Sequence, residues 1–246
     1  MNALGNLANI FAQKGDYDRA EACFHETLRY AQSLGDQRTL VTILNNWGAM
    51  MRNRGDYARA RELYLQARAL LQSLHDGMCE TVNLHNLGDL AMLENDFEAA
   101  RDFFLQSIEK AHRYQQGWFL HYPLTDLAQL TARMGNFREA IEWQQQALHA
   151  YLLHYAPEHA EPLLMQLSFY ALQAGEVEAA ARWLLLAANW TRDSEKAKGL
   201  HQAAAELVEP STLQQLQADV ANMSVQSLLN QLASDSEPPS GTLFAE

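Results

Sequence analysis

The stretch GDYDRA, Gly15 to Ala20, returns as GDYARA at Gly55 to Ala60. The same interval of 40 residues (55 − 15) then reaches NDFEAA at Asn95, GNFREA at Gly135 and a fainter GEVEAA at Gly175. Five copies in one register point to stacked supersecondary units, because self-similarity at a fixed period of this size is the signature of repeat architectures.

Each copy carries its own stop and start signals. The glycine follows an amphipathic segment and suits the left-handed conformation just past a helix C-terminus, and Asn95, which replaces it in the third copy, tolerates that conformation next best. Asp16, Asp56, Asp96 and Asn136 then stand where an N-cap acceptor is wanted, with Glu176 a poorer one. The aromatic residue that follows (Tyr17, Tyr57, Phe97, Phe137, with Val177 in the weak copy) and the alanine three residues on (Ala20, Ala60, Ala100, Ala140, Ala180) share one helical face. Eight residues before each glycine position stand Leu7, Trp47, Leu87, Leu127 and Leu167, each followed by a small residue. Phe24, Tyr64, Phe104 and Leu184 extend the second face, and Gln144 interrupts it in the fourth copy. Each copy therefore reads as two antiparallel amphipathic helices joined by a tight turn.

This pattern of large residue, LG-type pair, G-D-Y, Ala and aromatic resembles the tetratricopeptide repeat (TPR) family over roughly residues 1 to 190. The family's usual unit has 34 residues; the six extra residues here, placed at SLGD (Ser33 to Asp36) and SLHD (Ser73 to Asp76), lengthen the flanking helices by about 9 Å in total. Extended units of this kind resemble those of spindle-orientation adaptors, kinesin light chains and MalT-type bacterial sensor regions. The resemblance implies an all-α, right-handed superhelical solenoid. Five repeats are expected over residues 1–192, at about 1–36, 37–76, 77–116, 117–156 and 157–192. Capping helices are expected over 193–234 and a disordered tail over 235–246.

Composition narrows the function classes. With 48% hydrophobic residues in 246 there is ample material for a core, and the net charge of −12 argues against a general nucleic-acid binder. Six carboxylates (Glu206, Glu209, Asp219, Asp235, Glu237 and Glu246) follow Lys198, the last cation. A basic protein partner is the better expectation. Cys23 and Cys79 lack metal or redox spacing and read as buried thiols of a reducing compartment. No leader-like segment or long apolar run appears, so a cytoplasmic protein without a membrane partner is expected.

Catalysis has no visible seat. His149, His154 and His159, with Glu158 and Glu161, are spaced so that successive side chains diverge around a helix that Pro157 interrupts, and no metal or other cofactor is expected. No nucleophile elbow, HExxH or phosphate loop occurs, so no catalytic residue is assigned and an enzyme is the least favoured class.

The sharper candidate is the face of the first helices. In the family, the residue before the LG-type leucine points into the concave groove, and here it reads Asn6, Asn46, Asn86, Asp126 and Gln166. Asn9, Asn45, Asn53, Asp89 and Gln129 add polarity. An amide donates and accepts, so such a ladder can pair with the main chain of an extended peptide. The cations of the family's chaperone-tail clamp are missing: Gly5, Asn9, Asn46, Val82 and Asn86 stand at the matching places. Trp118, Phe119 and Tyr122, before Pro123, are accessory contacts or junction packing. The expected function is thus a scaffold binding a peptide or partner domain in the groove. The alternatives are the sensor arm of a larger signalling ATPase or transcriptional regulator, and an enzyme. The second copy's first helix can begin near Gln37, four residues before the equivalent of Met1 (41 − 37). The first helix is therefore expected to be clipped, with self-association through its uncovered face.

Overall fold

In the computed structural model, residues 2–74 and 76–235 are described, and they hold thirteen α-helices and no strand. The tail expected to be disordered lies outside them from residue 236 on, and Asp235 closes the last helix. Among the described residues no helix is long and apolar enough to cross a membrane. The fold is an all-α solenoid built of helix hairpins. The helices fall into two compact units, Met1–Gln116 and Gly117–Glu246.

Unit 1 contains three hairpins: α1 (Asn2–Gln13) with α2 (Tyr17–Leu34), α3 (Gln37–Arg54) with α4 (Tyr57–Leu74), and α5 (Gly77–Leu93) with α6 (Phe97–Arg113). Each second helix packs on the next first helix, α2 on α3 and α4 on α5, and the first helices α3 and α5 also meet directly. Unit 2 opens with a 3-10 turn at Gly117–Phe119 and holds α7 (His121–Arg133) with α8 (Phe137–Leu152). A second 3-10 turn at Pro157–His159 leads into α9 (Glu161–Gln173) with α10 (Val177–Trp190). Three further helices follow: α11 (Ser194–Leu207) and α12 (Pro210–Ala221) pack on α10, and α13 (Val225–Asp235) packs on α8.

The repeated G-D turn explains the hairpins. Gly15 takes φ +76°, its N–H donates to Ala12 O (3.0 Å) and the Asp16 N–H donates to Phe11 O (2.9 Å), closing α1 in a Schellman arrangement. The same pair of bonds recurs at Gly55, Asn95, Gly135 and Gly175, all with positive φ. The next residue then starts the second helix: Asp16, Asp56 and Asp96 each accept from the backbone N–H three residues on, at 3.4, 3.1 and 3.2 Å. Asn136, expected to act likewise, makes no such side-chain bond. The junctions use the same chemistry, with Asp36 and Asp76 capping α3 and α5. Two hydrogen bonds from Thr39 hold the Asp36 carboxyl below the usual carboxylate range.

Inside each hairpin the alanine of the repeat is fully buried, as are Phe24, Tyr64 and Phe104. The small residue of the LG-type pair gives these rings their space: a Cβ on Gly48 would lie 2.5 Å from the Tyr64 ring, and one on Gly88 would lie 2.6 Å from Phe104. Gln144, expected to interrupt the packing face, is instead buried within it. Its Nε2 donates to Gln166 Oε1 (2.9 Å) and Leu163 O (3.3 Å), so a hydrogen-bonded bridge to α9 takes the place of an aromatic ring. Cys23 and Cys79 are free thiols, only half-buried, and packed against the edge of the unit 1 core.

Gly88→Ala is therefore expected to destabilise unit 1 by about 1 kcal/mol or more despite the helix propensity of alanine, since overpacking against a ring with no room to shift outweighs the propensity gain. Gly5→Ala, where an added Cβ meets nothing within 4 Å, should be neutral or stabilising by up to about 1 kcal/mol. Chemical denaturation of the two variants side by side, followed by circular dichroism, checks the opposite signs.

Candidate peptide-binding face

The first helices of unit 1 divide their amides into two kinds. Asn45, read as a groove residue from the sequence, is buried and accepts from Asn83 Nδ2 (2.8 Å); Asn83 also donates to Tyr64 O (3.0 Å). This pair ties α3 to α5 and removes Asn45 from the candidate surface. Asn46 and Asn86, one and three residues past the seam residues of their own copies, are half-buried, and among the described residues neither side-chain amide has a hydrogen-bond partner. Asn6 is exposed and Asn9 half-buried on α1. Asn53 is exposed and accepts from Arg52 Nε at 3.4 Å.

Asp89 is not a free acid on this face. Arg52 of α3 reaches across to form an ion pair with it, both side chains being mostly covered, and His85 Nε2 lies 3.8 Å from its other oxygen. Arg52 is the cation that sequence reasoning missed here. It lies outside the positions of the family's clamp, and its partner lies three residues before the equivalent register on the next repeat (92 − 89). Burial pushes the Tyr64 phenol well above its usual range, with Arg52 and Asp89 the nearest charges.

Unit 2 presents a different surface. Asp126 and Gln129 on α7 are half-buried, and the Asp126 charge adds to burial in pushing the Tyr170 phenol up to about 12. Gln166 is held by Gln144 rather than offered to a ligand. Beside it, the first helix α9 exposes an apolar stripe that sequence reading passed over: Met165, Phe169 and Leu172 are 38%, 53% and 41% exposed. Their spacing of four and three residues places them on one helical face. The signal was present, since Met165 and Phe169 occupy places where the earlier copies carry polar or small residues.

The junction aromatics separate into packing and surface. Phe119 is buried, whereas Trp118 and Tyr122 are exposed. His121 is buried between them and the next turn, its Nδ1 3.0 Å from Trp118 O and its ring against Tyr122, Tyr151 and Tyr155 at 4.0, 5.2 and 5.2 Å between centroids. The crowded histidines do not converge. His149 lies on the last turn of α8, where burial lowers its pKa, and His154 sits against Gly117, while His159 is exposed in the second 3-10 turn. Glu158 and Glu161 form ion pairs with Arg192 and Lys196.

Comparison with known proteins agrees with this architecture. Family models described as tetratricopeptide repeat match residues 3–38, 39–111 and 124–161. Among curated proteins none matches the sequence. Among solved structures, that of BtubC (BKLC) from P. vanneervenii is similar, with a TM-score of 0.61 at 15% identity over 92% of this chain and 96% of that chain, a likeness of fold. With the turn, the buried alanine and the ring-facing glycine recurring in phase, the chain belongs to the tetratricopeptide repeat family.

Proposed function

We propose that the chain is an interaction scaffold whose two units each bind partner segments along their own first helices. Unit 1 would pair with main-chain groups through Asn46 and Asn86, and unit 2 would hold apolar side chains on Met165, Phe169 and Leu172. Tetratricopeptide repeats generally mediate protein–protein interaction and are typically non-catalytic scaffolds. The observation that carries the reading is selective: Asn45, Asn83, Gln144 and Gln166 are all hydrogen-bonded within the protein, whereas Asn46 and Asn86 are not. A half-buried amide without a partner has both a donor and an acceptor to offer an extended chain.

The preference for a basic ligand needs revision. Arg52 already neutralises Asp89, so Asp89 gives no reason to prefer a basic ligand.

A random-peptide phage library selected on the protein supplies a probe whose affinity is then measured by calorimetry. Asn46→Ala and Asn86→Ala are each expected to weaken the best binder by about 1–3 kcal/mol, because peptide groups are left unpaired, while the melting temperature stays level or rises. Equal affinity for wild type and the double variant would remove the amide ladder from the site.

Phe169→Glu tests the apolar half. Selected peptides should be rich in Leu, Phe or Met, and the variant should weaken them by roughly 1.5–3 kcal/mol, the worth of burying one large apolar side chain, with the fold unchanged. Retention of binding by this variant would exclude the α9 stripe.

A further inference from the structure

The seam between first helices has a register, and α9 leaves it open. On α3, Asn45 is buried against Asn83 of α5, and Arg52 is covered by its ion pair with Asp89 of α5. These are positions through which one first helix meets the next. Three periods of 40 residues on, the same places of α9 hold Met165 (165 − 45) and Leu172 (172 − 52), with Phe169 between them. All three are exposed, and Pro162, exposed one turn earlier, extends their face. Three more helices follow α9, yet α11 and α12 pack on α10 and α13 packs on α8. The chain therefore continues past α9 and still leaves this side of it uncovered.

From Pro162 to Leu172 the face runs about 15 Å, or about three turns. None of its side chains donates a hydrogen bond, and only the Met165 thioether accepts one, weakly. An extended peptide laid along it buries main-chain N–H and C=O groups without partners, which is costly, whereas a helix brings those groups already paired. Charge makes no demand on the occupant, since the one charged residue of α9, Glu161, is ion-paired with Lys196. We propose that this face docks an amphipathic helix of a partner protein, stacked on α9 where a further first helix would stand. Its anchors are apolar residues at i, i+3 or i+4, and i+7. This rests on the scaffold reading and assigns unit 2 a helical segment, where the amides of unit 1 suit an extended one.

Two peptide libraries of about fifteen residues, displayed on phage and selected on the full chain, test the assignment. In one, alanine, glutamate and lysine hold a helix and only one face is randomised; in the other, proline at about every fourth place excludes a helix. Peptides from the helical library should carry Leu, Ile, Phe or Met at the anchor spacing. Phe169→Glu should weaken them about tenfold or more, as should a proline at their centre, while Asn86→Ala leaves them unchanged. Salt should hardly move the affinity, and circular dichroism checks that Phe169→Glu keeps its helix content. Peptides sensitive to Phe169→Glu that come only from the proline library overturn the helical docking and leave the scaffold reading standing. If Phe169→Glu weakens no peptide from either library, the α9 face is not a site, and the scaffold reading then depends on Asn46 and Asn86 alone. Two further results give the face another occupant and overturn the proposal as well: displacement of the helical peptide by a synthetic peptide of residues 236–246, or a dimer in sedimentation velocity that Phe169→Glu dissociates.

Discussion

Everything in this protein hangs on a two-residue turn in which one aspartate acts on both helices. The backbone N–H of Asp16 closes α1 through Phe11 O, and its carboxylate caps α2 through the Arg19 N–H. Because the two bonds come from one residue, the exit direction of the first helix and the entry direction of the second are fixed together, and the preceding glycine supplies the only backbone conformation that allows it. Repeating this turn sets the hairpin angle, and the hairpin angle determines which side chains face inward. Ala20 and Phe24 are buried because the turn places them there, and the glycine of the LG-type pair follows from the ring it must accommodate.

The features legible in the sequence are those that recur. Turn, cap, small residue and ring could be read because each position was sampled several times at one spacing, so chance matches were outvoted. Features written once were misread. Gln144 looked like a fault in an apolar face, because periodicity registers only that a position faces inward and not that Leu163 O and Gln166 Oε1 wait there. Asn45 looked like a surface amide because it adjoins Asn46, yet one residue is 100° around the helix and changes a solvent position into a seam position. The pairing of Arg52 with Asp89 joins residues 37 apart, and no local pattern announces it.

The two units differ in what their first helices display. In unit 1 the display is polar and partly consumed by the protein itself, through the Arg52–Asp89 pair and the Asn45–Asn83 pair. In unit 2 it is an apolar stripe on α9, and separately the exposed Trp118 and Tyr122 at the opening of α7. A shared scaffold thus carries two surface chemistries, and the division follows positions that the fold leaves unconstrained: the hairpin core tolerates almost any residue at the places of Asn46, Asn86 and Phe169.

The Asn45–Asn83 pair bears on a problem peculiar to arrays of near-identical parts. Hairpins that share the same turn, alanine and ring can stack in the wrong order, or with a hairpin borrowed from another molecule, and lose little apolar contact; misassembly of this kind is a characteristic error of repeat proteins. A buried amide is different, since without its counterpart it is left with unmet hydrogen-bonding groups. Asn83 finds Asn45 Oδ1 only when the third hairpin follows the second, because the residue at the place of Asn45 in the first copy is Gly5. One pair of asparagines thereby acts as a proofreading mark, raising the energy of mis-ordered stacks that the apolar seams alone would accept.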